Sequence, residues 1–188
     1  MQPPLPPLMV ADPTFPMYLQ EAVSQSLDAL IKGKVPDAVT VSSNYFGGAG
    51  TLYEKETVAI IECILDHDFT PDPTIKPKAL KTLRVIAAAM ELWGESDVQE
   101  FAEVSGDWTH KFKPEEVIQL LYAAGLERHR LDHLRHAGVR KIAVRNGADQ
   151  AARDCQETIG RVFAIEEAPI LPHGNPACRC SYAPVPSS

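Results

Sequence analysis

The chain has 188 residues, 45% of them hydrophobic and 23% charged, with a formal net charge of −7. That length suits one ordinary domain, or a modest domain with a small appendage. The composition excludes a wholly disordered chain, a collagen and a disulfide-dense scaffold, and no apolar run is long enough to cross a bilayer.

Residues 1–16 hold six prolines (Pro3, Pro4, Pro6, Pro7, Pro13 and Pro16). Proline lacks a backbone donor and fixes φ, so an extended arm is expected. No basic region precedes an apolar stretch, so no signal peptide is expected and the chain reads as intracellular. A first helix is predicted over Met17–Lys32, with Leu19, Val23, Leu27, Leu30 and Ile31 on one stripe and Gly33 as its stop. In 36–52, Val39 and Val41 alternate with polar residues. Asn44–Gly50 then reads as a glycine-bearing loop that lacks the lysine and hydroxyl of a phosphate-binding loop.

A second helix is predicted over Tyr53–Asp66, with Val58, Ile61 and Leu65 inward and Cys63 as a buried thiol. Asp66–Pro77 reads as a loop. A third helix starts near Pro77 and runs to Trp93, where Ala87–Ala89 allow close packing. Ser96 and Gln99 form a capping-box pattern for a short fourth helix through Ala102. A fifth helix begins at Pro114 with Glu115 and Glu116 at its positive end, and Gly125 is predicted to end it.

Charge divides the chain here. Residues 1–125 carry nine basic and eighteen acidic side chains, whereas 126–188 carry nine and seven. A uniformly basic nucleic-acid binder is therefore excluded. Arg128, Arg130, Arg135, Arg140, Lys141 and Arg145 accompany a single acid, Asp132, over 128–145. Two readings stand for this run: a local patch facing DNA phosphate, or a solvated helix face followed by a charge-blunted strand edge.

Glu127–Ala137 reads as a short basic helix closed by Gly138. Its His129, His133 and His136 fall at i, i+4 and i+7 on one face, as on metal-binding helices. There is no His-Glu-x-x-His pattern, and at i+1 Asp132 is not expected to share the face of His133. The plain alternative is a polar face opposite Leu131 and Leu134. Val139–Arg145 reads as a strand, Asp149–Ile159 as a helix stopped by Gly160, and Arg161–Ile165 as a second strand.

The densest chemistry lies at the end. Cys155, His173, Cys178 and Cys180 place three thiols and one imidazole in a 26-residue window. A segment this short has little core of its own, and a metal ion would fix loops that apolar burial cannot. Zinc suits a mixed thiolate and imidazole set. On an extended segment Cys178 and Cys180 would point opposite ways. An unmetallated thiol cluster, a disulfide from Cys155 to one neighbour, and a Cys–His nucleophile therefore stand as alternatives.

The run Asp149–Cys180 resembles the C-terminal signature of phage head morphogenesis proteins, the minor head family of the Mu F-like and SPP1 minor-capsid-like proteins. Gly160-Arg161-Val162-Phe163 matches its glycine step and Glu166-Glu167-Ala168-Pro169 its acidic and proline step. Pro172-His173 and Cys178-Arg179-Cys180 match its ending, and Ala137–Ile142 is similar to its lead-in strand. The family's first cysteine falls on Ala152 here. The resemblance covers about the last 50 residues. It implies a non-enzymatic virion protein, present in the host cytoplasm during assembly. A few copies would sit at the portal or inside the capsid, against the portal or major capsid protein, aiding head assembly, packaging or genome delivery. Some proteins with this signature carry toxin domains, so a zinc-binding nuclease using His110, His129, His133 and Arg130 is the competing reading. A metal-free portal or neck adaptor is a third, and no catalytic residue is assigned.

The expected architecture is α+β and predominantly helical. It comprises the arm 1–16, a helical domain 17–125, and a C-terminal α/β unit 126–188 with a two-stranded sheet and a Cys/His-rich loop.

Overall fold

A computed structural model describes residues 15–47, 51–94, 108–147 and 155–186. The arm up to residue 14, the helix expected from Ser96, residues 48–50 of the glycine loop and the first part of the Asp149–Ile159 helix lie outside these residues. The fold is α+β, mostly helical, with a small antiparallel sheet near the C-terminus.

Five helices come first: α1 (Phe15–Ile31), α2 (Val35–Tyr45), α3 (Thr51–Asp66), α4 (Pro77–Trp93) and α5 (Pro114–His136). Helix α1 stops at Gly33, which takes a left-handed φ of 72° and lets Lys34 N–H reach the Ala29 carbonyl at 2.9 Å, as helix C-caps do. Helix α2 corrects the alternating reading of Val39 and Val41. Val35, Ala38, Val39, Ser42 and Ser43 are the buried positions, a helical spacing that a short two-residue alternation mimics.

These helices enclose one apolar cluster around Ile61, Ile64, Leu83, Trp93 and Leu121, all fully buried. Ala87, Ala88 and Ala89 are at 0% exposure, so α4 is in close contact on more than one face. Trp93 packs edge-on against Tyr45 at 5.4 Å, and the Ser42 hydroxyl donates to the Leu92 carbonyl at 3.1 Å. The 67–76 loop is pinned by Asp72, which accepts from Thr74 N–H at 2.8 Å, Thr74 Oγ1–H at 2.6 Å and Lys111 N–H at 3.2 Å. Those bonds hold the Asp72 carboxyl below its usual range.

Gly125 does not end α5, which runs unbroken to His136. It marks a helix crossing instead. A side chain there would put its Cβ 2.6 Å from Ile64 Cα of α3, so only glycine permits this approach. The change in charge at residue 126 therefore falls inside one helix, which closes at Gly138 with φ 77°.

After α5 come β1 (Lys141–Asn146), β2 (Val162–Ala164), a single 3-10 turn (Ile165–Glu167) and β3 (Cys180–Pro184). The sheet has three strands in the order β2-β1-β3, both pairings antiparallel, one strand more than the sequence shows. Ile142 pairs with Phe163 and Val144 with Tyr182. These residues face a second buried cluster with Leu131 of α5, Ile165, Leu171 and three cysteines. Cys155–Ile159 is a turn, with Ile159 N–H bonded to the Cys155 carbonyl at 3.1 Å.

Glu127 links α5 to the sheet. Its carboxylate accepts from Tyr182 N–H on β3 at 3.0 Å and pairs with Arg130 at 2.9 Å. Burial pushes the Glu127 carboxyl up, opposed by those two contacts. Arg135 adds a bond to the Ile165 carbonyl at 3.3 Å, so the sheet is tied to the C-terminal half of α5 by charge-assisted bonds.

Candidate metal centre

Three separate pieces of chain bring the four residues together. Cys155 opens the turn before β2, and His173 follows the cis Leu171–Pro172 peptide. Cys178 ends a turn closed by its own N–H on the Asn175 carbonyl at 2.8 Å, with Pro176 at a position that favours such turns and Ala177 N–H held by Asn175 Oδ1 at 2.9 Å. Cys180 is the first residue of β3.

The segment is thus bent at Cys178 and becomes a strand only at Cys180. That corrects the expectation that the two side chains diverge. One ligand atom from each of Cys155, His173, Cys178 and Cys180 lies within 4.8 Å of all the others. Cys155 and Cys180 are buried with Cys178, and His173 is half-buried.

The distances suit a single ion. Cys155 Sγ and Cys178 Sγ are 3.4 Å apart, and Cys178 Sγ is 3.6 Å from His173 Nδ1. Around a tetrahedral ion with metal–sulfur bonds near 2.3 Å, neighbouring ligand atoms stand about 3.8 Å apart. All four cysteines of the chain are free, and 3.4 Å is well beyond an S–S bond of about 2.05 Å. The cluster could therefore hold a metal ion.

A second layer orients the imidazole. Thr158 Oγ1–H donates to the Cys155 carbonyl at 3.1 Å, so its oxygen is free to accept from His173 Nε2–H at 2.8 Å. That arrangement leaves Nδ1 as the lone-pair nitrogen, and Nδ1 is the atom beside Cys178. Metal-bound imidazoles are commonly held in this way by their other nitrogen. The thiols themselves press on one another. Burial first, then Cys155 and Cys178, push the Cys180 thiol far up, a resistance to ionisation that a bound cation would reverse.

The basic run is split by the structure. Arg128 and Arg135 both pair with Asp132, at 3.1 and 2.7 Å, and Arg130 pairs with Glu127. Arg140, Lys141 and Arg145 are exposed and make no ion pair among the described residues. The histidine face of α5 lines an open cleft of about 510 Å³ against α3, together with Glu62, Cys63 and Asp66. Asp132 lines this cleft with His129, His133 and His136, its carboxylate paired with Arg128 and Arg135. Cys63 is half-buried at the cleft wall. His129 bonds Glu56 at 2.8 Å, while His110 bonds Thr74 at 2.9 Å, so the residues of the nuclease reading have different partners.

Sequence reasoning missed Thr158, because a lone threonine in a turn carries no signal until its two partners are seen. It also missed His67. Its Nε2–H donates to the Leu121 carbonyl at 3.1 Å, and burial, with Arg84, holds its imidazole at about 4.

Comparison with protein-family models, with characterised proteins and with solved structures returns no match.

Proposed function

We propose that this chain is a non-enzymatic assembly protein of the phage minor head type, with a structural zinc ion stapling its C-terminal unit. The observation that carries the reading is the convergence of Cys155, His173, Cys178 and Cys180 on one point. Three sulfurs and one imidazole form a complete tetrahedral set, which suits a structural rather than an open catalytic site. Zinc suits that mixture best among common divalent ions. When bound, it would supply folding energy to loops with little apolar core. Cys155, Cys178, Cys180 and His173 would hold it, and Thr158 would fix the tautomer of the imidazole.

The assembly role draws on the resemblance of 149–180 to the head morphogenesis signature, whose Pro-His and Cys-Arg-Cys elements supply three of the four candidate ligands. Cys155 completes the set without the cysteine that Ala152 replaces. The partner expected from that resemblance is the portal or major capsid protein.

Two measurements test the reading together. Purified protein should carry one zinc per chain, and mass spectrometry of purified particles and proheads should detect the chain. Absence from both particle forms overturns the assembly role. DNA cleavage by the purified chain that disappears in His133→Ala overturns the non-enzymatic assignment.

A further inference from the structure

We infer that the outer face of the three-stranded sheet is a docking surface for the phosphodiester backbone of nucleic acid. Side chains on opposed positions of an antiparallel pair share a face. Lys141 opposes Ala164, Ala143 opposes both Val162 and Ala183, and Arg145 opposes Ser181. With Ile142, Val144 and Tyr182 buried on the inner side, these residues form the outer face. It is a floor of alanine and serine with one exposed valine, Val162, and with Lys141 and Arg145 standing on it. Arg140 and Arg161 are exposed at the entries to β1 and β2, each one residue before a member of this face.

Charge selects the occupant. The strands β1, β2 and β3 contain no acid. None of these four cations makes an ion pair among the described residues, unlike Arg128, Arg130 and Arg135, whose charge is spent on Asp132 and Glu127. Glu166, just past β2, lines a cleft on the opposite side with Arg135 and Tyr182. Short side chains between the cations let a bulky polyanion approach, and three of the four cations are arginines, whose planar fork pairs with phosphate oxygens. Lys141 and Arg145 lie along the central strand β1, with Arg140 and Arg161 at the strand entries, so the contact tracks a backbone and reads no base sequence. The inference does not depend on phage kinship. It needs only that the sheet be formed, and β3 starts at a candidate metal ligand.

Fluorescence anisotropy of a labelled 20-base-pair duplex of arbitrary sequence, titrated with the metal-loaded full chain at several salt concentrations, tests it. Neutralising about four phosphates gives a log–log salt slope of about −3.6. The double variant Lys141→Gln, Arg145→Gln should lower that slope by about 2 and weaken binding at low salt. Arg128→Gln, Arg130→Gln should leave the slope unchanged. Zinc content and circular dichroism on the same samples separate a failed sheet from a failed surface. Absence of binding by zinc-loaded wild type at low salt overturns the inference, as does a slope the double variant does not alter. Self-association in sedimentation that the double variant abolishes, without DNA binding, overturns it too and assigns the face to the acidic body of a second copy.

Discussion

The helical body and the C-terminal unit are held by different means. In the body, the buried cluster runs from Val23 to Leu121 and is aliphatic apart from Trp93 and Phe112. In the unit, nine described residues form the buried cluster and three of them are cysteines. Each fully buried aliphatic side chain contributes about 1.5–3 kcal/mol before the entropy of ordering is set against it. The body has enough of these to order five helices. The unit must hold a three-stranded sheet and long irregular connections with six buried residues besides its thiols. In such a region the clustered thiols and His173 are where a crosslink could form.

The largest expected effect follows from that contrast. Cys178→Ser should abolish metal binding and unfold the unit, since a structural zinc contributes on the order of 10 kcal/mol to folding. Loss of the β1 and β3 signals in a two-dimensional amide NMR spectrum, with the α4 signals retained, is the expected result. Next comes His67. Its folded-state value of about 4 lies below the ordinary 6.5, so the unfolded chain binds the extra proton between those values. Body stability is therefore full above pH 6.5 and falls as pH drops toward 4, by up to about 3 kcal/mol. Denaturant titrations of His67→Gln across that window should show a flatter dependence on pH.

Gly125→Ala tests the body alone. The added Cβ meets the backbone of Ile64, so a loss of about 1–3 kcal/mol is expected in urea unfolding, with zinc content unchanged. Thr158→Val is the subtlest change. It keeps the shape, removes the hydroxyl between the Cys155 carbonyl and His173, and should weaken zinc affinity by about 10–100-fold in a competition titration while the metal-loaded fold persists.

The same contrast governs what could be read from sequence. Helices α1, α3 and α4 declare themselves because their apolar spacing is local. Helix α2 hid because Val39 and Val41 are only two residues of a short element. Gly125 misled because glycine is locally a stop signal, whereas its reason here is the approach of Ile64, 61 positions away in the chain. Strand β3 hid because Cys-Ser-Tyr-Ala-Pro has little strand character until it pairs with β1. The four candidate ligands were legible as residue types, but not their meeting point. That depends on the bend at Cys178, which Asn175 and Pro176 make and which two-residue alternation ignores.

The central claim is that sulfur and imidazole do for the unit what aliphatic packing does for the body. Amide hydrogen exchange of the purified chain, before and after a strong zinc chelator, tests it most directly. The account predicts that protection at Ile142–Asn146 and Cys180–Ala183 collapses on chelation while that at Leu83–Ala89 persists. Protein that carries no metal as purified, with those strand amides equally protected in both conditions, would contradict it.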